Sequence, residues 1–254
     1  MKFVTFNIRC ALTGDGINSF YHRAGSVLVK IAREKPDVIG FQEVQPAIFD
    51  FLCKYLTDYT VVGCGRGADY ENEHNPVAFR KDKFELIGLE TEWLSPTPYI
   101  PGSRYEEQSD CPRIVTRVTL REFGKAKPFD VFNTHLDHVS EKARVLGAQA
   151  VCGIMGERKD KWNFPMVLMG DMNDYPASGP IRTFLEDKKL ALTDHTVGMG
   201  TTWHGYGRAH DERIDYIMSN GFTQQGKLEA WTDETDGIYL SDHYPLAIEL
   251  DMEK

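Results

Sequence analysis

Three polar side chains close an apolar run in VLMGDMNDYP, residues 167–176: Asp171, Asn173 and Asp174. The run itself is apolar enough for a strand buried on both faces. Asp and Asn at such a tip can serve a turn by bonding their own backbone, or they can hold a metal ion or a water. Other apolar runs end or begin in the same way. FNI gives Asn7, FQEV gives Glu43, NTHLDH gives His135, RIDYI gives Asp215, and SDHYP gives Asp242 and His243. In a layered sheet protein such tips can converge at one edge, where ligand sites tend to form.

The residue types select a chemistry. Carboxylates and amide oxygens suit Mg2+ or Mn2+, and the set lacks the cysteine that zinc favours. Mg2+ usually takes one or two carboxylates and fills its remaining positions with water and substrate phosphate. Two histidines with Asn and Arg are good partners for a phosphoryl group that gains charge in the transition state. Asp171 beside Asn173 can hold and deprotonate a water. The constellation points to metal-assisted hydrolysis of a phosphate ester. Taken singly, GDMND also reads as a polar turn, SDHYP as a helix or strand start with a surface histidine, His135 as a satisfied core histidine and Glu43 as a solvated acid after a strand. Asp215 inside an apolar strand must be paired or hydrogen-bonded, because burying a lone carboxylate is costly.

The elements that would position these residues follow from periodicity. Strands are expected at 2–8, 36–44, 75–80, 84–95, 113–122, 127–138, 164–170, 212–219 and 242–250. Helices are expected at 20–34, where Ala24, Val27, Leu28 and Ile31 recur at three and four, and at 46–56, with Pro46 in the first turn. A third is expected at 140–157, with Ser140 as N-cap and a stripe of Ala143, Leu146, Ala150 and Ile154. Strands outnumber helices, which favours an α/β sandwich of two sheets covered by helices.

The 254 residues show no repeat, low-complexity tract or linker, so one domain over 1–254 is expected. Composition is that of an ordinary globular chain, 41% hydrophobic and 26% charged. No run of eighteen apolar residues is present, so no transmembrane helix is expected. The start MKFVTFNIRC has no apolar signal region, and a cytoplasmic location is expected. Five scattered cysteines without C-x-x-C spacing argue against a disulfide framework or a zinc knuckle. Net charge is −9, from 38 acids against 29 bases, with no Lys/Arg cluster. Proteins that grip long nucleic acid usually present a basic face, so a polymer substrate is disfavoured.

In order along the chain, TFNIR, GFQEV, NTHLDH, GDMND, RIDYI and SDHYP resemble the endonuclease/exonuclease/phosphatase superfamily of DNase I-like enzymes. The match spans residues 2–250. The stretches GCGR (63–66), WLSPTP (93–98) and CPRIVT (111–116) resemble its compact bacterial branch, related to nocturnin and the deadenylase-type enzymes. The resemblance implies a four-layer α/β/β/α sandwich with two mostly antiparallel sheets face to face, and a divalent metal, Mg2+ or Mn2+. Glu43 is then the direct metal ligand, Asn7 supports the metal site, and Asp242 helps hold metal or water. Asp171 orients or deprotonates the attacking water, and Asn173 contacts the phosphate. His135 is a phosphate-side electrophile. Asp215 orients His243, which contacts the scissile phosphate, and Arg113 binds phosphate.

Specificity is expected on loops. Residues 63–76 carry Arg66, Tyr70, Glu73 and His74, and residues 201–212 carry Trp203, His204, Tyr206, Arg208 and His210. Arg and aromatic side chains of this kind can stack a base or a sugar. SRYEEQSD (103–110) is acidic and would repel a polyanion. The expected substrate is a phosphorylated small molecule or a short nucleotide. A DNA or RNA nuclease is the alternative, and a non-catalytic binding module with the same fold a more distant one.

Overall fold

Alternation along each strand sends side chains to opposite faces, and that period builds the layers. The computed structural model describes residues 1–209 and 213–253. The first half runs β1 (Lys2–Asn7), α1 (Phe20–Glu34), β2 (Val38–Gln42), α2 (Pro46–Tyr55), β3 (Tyr59–Val62), β4 (Val77–Arg80), β5 (Phe84–Trp93) and β6 (Ile114–Glu122). Then come β7 (Phe129–His135), α3 (Glu141–Trp162), β8 (Met166–Asp171), α4 (Gly179–Leu185), β9 (Thr193–Asp194) and β10 (Asp215–Asn220). The chain closes with β11 (Phe222–Gln224), β12 (Glu229–Ala230), β13 (Glu234–Thr235), β14 (Ile238–Tyr239) and β15 (Leu246–Met252).

Two mixed sheets result. One has the order β11-β15-β1-β2-β4-β3, with β12 also on β15; the other has the order β5-β6-β7-β8-β10-β9. Each contains one parallel pair joined through a helix, β1 with β2 and β7 with β8, and its other pairings are antiparallel. Phe3, Val38, Val131, Val167 and Ile217 point into the apolar layer between the sheets. Val4, Phe6, Ile39 and Phe41 point the other way, under α1 and α2. Phe132, Leu168, Tyr216 and Met218 pack under α3 and α4. Three apolar layers between four structural ones make the α/β/β/α sandwich.

At one end the inter-sheet layer turns polar. Gln42 Nε2 donates to Asn133 Oδ1 at 2.6 Å, and Asn133 Nδ2 donates to the carbonyls of Phe41 (2.7 Å) and Pro76 (2.9 Å). A side-chain amide of one sheet therefore grips the backbone of the other just behind the strand tips. Satisfied networks of this kind fix one arrangement of the elements they join.

Several expectations shift in detail. Ser140 caps α3, accepting from the Ala143 N–H at 3.2 Å, as expected, but the helix runs on to Trp162. Its buried stripe is Ala143, Gly147, Val151 and Met155, and Leu146, Ala150 and Ile154 are only half-buried. Gly147 is the reason: it lets α3 settle so close that a Cβ there would meet Leu136 at 3.2 Å. The strand expected at 242–250 begins only at Leu246, because Pro245 has no N–H for the ladder. The strand expected at 212–219 begins at Asp215, and Glu212 lies outside the described residues. The expectations left β3 and α4 unassigned. Both are short, four and seven residues, and carry too few repeats for a period to register.

Gly170 shows how tightly β8 is set. Its φ is 147°, and a Cβ would lie 1.9 Å from the Thr134 carbonyl oxygen on β7. Gly170→Ala is expected to cost about 3 kcal/mol or more through backbone strain and steric overlap, lowering Tm by roughly 6–12 °C. Thermal unfolding checks this; an unchanged Tm would contradict the geometry.

Candidate active site

Parallel strands deliver their carboxyl ends to the same edge of a sheet, and ligand crevices form outside such ends. Here the ends of β1 and β2 bring Asn7 and Glu43 there, and those of β7 and β8 bring His135 and Asp171. β10 and β15 run antiparallel to their neighbours, so their beginnings lie at that edge and bring Asp215 and the Asp242–His243 pair. Register makes the second sheet's contribution exact in chain terms: His135 pairs with Asp171, and Asp171 with Asp215.

Local backbone aims the rest. Phe41 faces the outer layer and Gln42 the inner one, so strict alternation would send Glu43 outward. A φ of 60° at Glu43 breaks that pattern, and the side chain lines the cavity instead. Arg9 (φ 59°) and Asn173 (φ 50°) are left-handed too. Such conformations are rare outside glycine and cluster at working sites. Arg23, fully buried, holds the first of these turns. Its guanidinium donates to the carbonyls of Ile8 (2.5 Å), Arg9 (2.8 Å), Asn18 (2.8 Å) and Leu240 (2.7 Å).

A cavity of about 510 Å³ opens at this edge. It is lined by Glu43, Asp171, Asn173, His135, Asp242 and His243, together with Arg66, Arg113 and Trp203. Asn7 and Asp215 stand one layer behind. Asn7 Nδ2 donates to Glu43 Oε1 at 3.1 Å and to Asp171 Oδ2 at 2.9 Å. Asp215 Oδ2 lies 2.8 Å from His243 Nδ1, which donates to it when the ring is protonated there. The same Asp171 Oδ2 lies 3.5 Å from His135 Nε2 and 3.7 Å from His243 Nε2. Asp171 Oδ1 accepts from the Asn173 N–H at 2.8 Å, and Asn173 Nδ2 donates to the Leu136 carbonyl at 3.0 Å.

Burial, and then the charge of Asp215, pushes the Asp171 carboxyl up to about 7. Burial alone would lower His243, but Asp215, Asp171 and Asp242 outweigh it and raise the ring to about 10. Burial and the charges of Arg113 and Arg66 hold His135 well below its ordinary value, so it is a neutral imidazole. Glu43 is held low: burial opposes this, but Arg9 and the Cys10 N–H at 3.0 Å prevail. The site thus holds a poised carboxylate between a cationic and a neutral histidine.

Two arginines and a histidine of the lining are only partly paired: Arg113 Nη2 lies 2.8 Å from His138 Nδ1 and Arg66 Nη1 3.0 Å from Glu73 Oε2. Among the described residues, Arg113 Nε and Nη1, Arg66 Nε and His135 Nδ1 are buried with no hydrogen-bond partner. Unpaired buried polar atoms are uncommon and costly, and guanidinium groups with spare donors beside one cavity suit an anion with several oxygens.

The donor set suits a divalent cation. Glu43 and Asp242 face the cavity as carboxylates, with Arg9 at 3.9 Å and 3.7 Å as their shared cation. The Cys10 thiol is kept protonated by burial and the charge of Glu43. Hard oxygen donors with no thiolate fit Mg2+ or Mn2+. Ligand atoms of Asp171, Asp215 and His243 also lie within 4.8 Å of one another and could hold an ion geometrically. A protonated His243 is a poor ligand, however, and is itself the cation of that group, which favours the Glu43 side.

Not every expected residue reaches the cavity. Arg208 is exposed, on a turn whose Gly205 and Gly207 have positive φ and carry it outward. His74 is buried in the core, stacked on Phe49 with centroids 4.7 Å apart. Tyr70 lines a separate groove with Trp93 and Tyr99. His204 stacks on Tyr244 at 3.9 Å, beside Tyr206 and Tyr239. His210 lies outside the described residues. Trp203 does line the cavity, its indole N–H donating to Asp242 Oδ2 at 3.4 Å. Arg9, Cys10 and His138 also line the cavity and are not among the expected site residues. Arg9 had one signal, its place two residues after Asn7, where the next inward-facing side chain falls.

Comparison with known proteins follows the same lines. The model of the Endonuclease/Exonuclease/phosphatase family matches residues 131–243. The endonuclease/exonuclease/phosphatase from Bacteroides vulgatus is 29% identical, with a TM-score of 0.91 over 99% of this chain and 98% of that one. A functionally unknown conserved protein from Enterococcus faecalis is 28% identical, with a TM-score of 0.88 over 100% of both chains. A mannosyl-6-phosphatase from Bacteroides thetaiotaomicron shares the fold at 24% identity, with a TM-score of 0.87 over 99% of this chain and 100% of that one. No curated protein matched the chain.

Proposed function

We propose that this chain is a member of the endonuclease/exonuclease/phosphatase superfamily of DNase I-like phosphate-ester hydrolases, whose family model matches residues 131–243, and that it uses a divalent cation, Mg2+ or Mn2+, to hydrolyse an ester of a small phosphorylated molecule or short nucleotide. The observation that carries the reading is Asp171 Oδ2, 3.5 Å and 3.7 Å from a neutral and a cationic histidine, in a cavity that Arg66 and Arg113 also line. The mannosyl-6-phosphatase with this fold supports a small substrate, as does the net charge of −9. Residues 1–254 act as one catalytic domain in this reading. Among the described residues no helix is long and apolar enough to cross a membrane; the location in this reading is the cytoplasm.

Each residue has a distinct task. Glu43 and Asp242 would hold the cation, and Asn7 fixes Glu43 from behind. The cation, when bound, supplies Lewis-acid polarisation of the phosphoryl group. Asp171 accepts the proton of the attacking water. Arg113, Asn173 and neutral His135 donate hydrogen bonds to the phosphoryl oxygens, and cationic His243, aligned by Asp215, balances the charge that develops there. These donors are already in place, so little reorganisation is needed at the moment of reaction.

Removing the carboxylate that would hold the cation should be felt in cation affinity first. Glu43→Gln is expected to raise the Mg2+ concentration for half-maximal activity by about 100-fold. Wild-type activity should vanish with a chelator and return on adding Mg2+ or Mn2+. Full activity in chelator would sink the metal-dependent reading. Raising salt should leave small-ester hydrolysis almost flat; a fall of several orders of magnitude between 50 and 200 mM, the sign of many phosphate contacts, would favour a nuclease instead.

A further inference from the structure

We propose that Arg66 and Glu73 form a hydroxyl-reading subsite that selects phosphorylated polyols, sugar phosphates in particular, as substrates. The inference rests on the phosphatase reading above and assigns the leaving group that reading left open. Both residues line the cavity, and Arg66 Nη1 lies 3.0 Å from Glu73 Oε2.

Their loop is built to hold them side by side. The Arg66 N–H donates to the Glu73 carbonyl at 3.0 Å, the Gly65 N–H to Tyr70 at 2.8 Å and the Gly67 N–H to Glu71 at 2.9 Å. Trp93 Nε1 pins the outer edge by donating to the Arg66 carbonyl at 2.7 Å. At Gly65 a Cβ would lie 2.2 Å from the Glu71 carbonyl oxygen, so the chain closes on itself with no room to spare. Preorganised side chains lose little freedom when a ligand arrives.

The position fits a leaving group. Glu73 is near enough to Glu43, Arg9 and Arg113 to feel their charges. It lines the same cavity as the carboxylate that would hold the cation and the guanidinium that would bind phosphate. Burial and the charge of Glu43 raise its carboxyl, while Arg66 pulls the other way. A second phosphate at this wall would meet that carboxylate. A hydroxyl would not: it can donate to Glu73 and accept from the guanidinium of Arg66, since both side chains line the cavity as one pair. Adjacent hydroxyls on a polyol match a carboxylate beside a guanidinium. A nucleobase instead needs a flat aromatic or apolar face, and this wall is charged.

The test uses the full chain with Mg2+ and three monoesters: glucose 6-phosphate, hexyl phosphate and AMP. The wild type is expected to favour glucose 6-phosphate over hexyl phosphate by about 100-fold in kcat/KM, since a site built to bind hydroxyls rejects an analogue lacking them. Glu73→Gln should shrink that ratio at least about tenfold, and Arg66→Lys, which keeps the charge but loses the fork, should shrink it as well. A wild-type ratio near one, or equal losses on both esters in both variants, would overturn the subsite. Calorimetric binding of the same esters to Asp171→Asn separates the two readings. If no ester is hydrolysed but glucose 6-phosphate still binds more tightly than hexyl phosphate, the subsite stands and the hydrolase reading falls. Equal binding, or none, overturns the subsite.

Discussion

Asp171→Asn is expected to lower kcat by about 10³-fold, within the range of general-base contributions, and to leave KM nearly unchanged. A loss of that size corresponds to roughly 4 kcal/mol of barrier. The amide keeps the shape and an acceptor for the Asn173 N–H, now 2.8 Å from Asp171 Oδ1, but it gives up the bond that Oδ2 accepts from Asn7 Nδ2 at 2.9 Å and cannot take a proton from water. Folding should not explain the loss. Asp171 is a buried acid raised to about 7 by burial and by Asp215. Its charged form is thus unfavourable in the folded state, and stability declines as pH rises above its ordinary value of 3.8. Neutralising it removes that liability, so Tm should fall by no more than about 3 °C. Steady-state kinetics with a parallel melt checks both halves; a variant that kept most of its kcat would remove Asp171 from the role of base.

His243→Ala is expected to cost about 10²- to 10³-fold in kcat, the size of effect seen when one preorganised charge-stabilising donor is removed. The more discriminating change is Asp215→Asn. In the wild type, Asp215 is the leading cause that raises His243 against its burial, to about 10. The ring is cationic below that value and loses its charge as pH rises through it. Without Asp215 the charge should be lost at lower pH, so the alkaline limb of the activity profile moves down. The sign for stability is the same: the pair's contribution is fully present below the ordinary histidine value of 6.5 and is lost as pH climbs through about 10. An alkaline limb that stays in place in Asp215→Asn would mean that His243 does not work as a cation.

Much of the site was legible because strand tips carry two kinds of information at once. The apolar run before GDMND marks a core strand, and the polar residues after it mark where the strand leaves the core. Asn7, Glu43, His135, Asp171, Asp215 and His243 all sit at such transitions, and the structure brings them to one edge. What the pattern lacked was direction within a loop. Arg208 and Arg66 look alike in sequence, each in a Gly-rich stretch with aromatics. Arg66 is turned inward by Trp93 and its own hairpin, and Arg208 is carried outward on a glycine turn. The left-handed backbone that aims Glu43 into the cavity also has no periodic signature, since it is a break in a period. Arg23 shows another limit. It reads as a polar position on α1, yet it lies buried and organises four carbonyls from distant segments, a role that only tertiary structure defines.

Cleavage of a phosphate ester at Asp171, with a cation present, is the central claim. The most direct measurement is release of inorganic phosphate from a small phosphomonoester by the full chain with Mg2+, run beside Asp171→Asn and His243→Ala and beside single-stranded RNA and DNA. The account predicts phosphate release by the wild type, its loss in both variants and in chelator, and little cleavage of either polymer. Equal phosphate release by wild type and Asp171→Asn, or polymer cleavage without monoester hydrolysis, would contradict it.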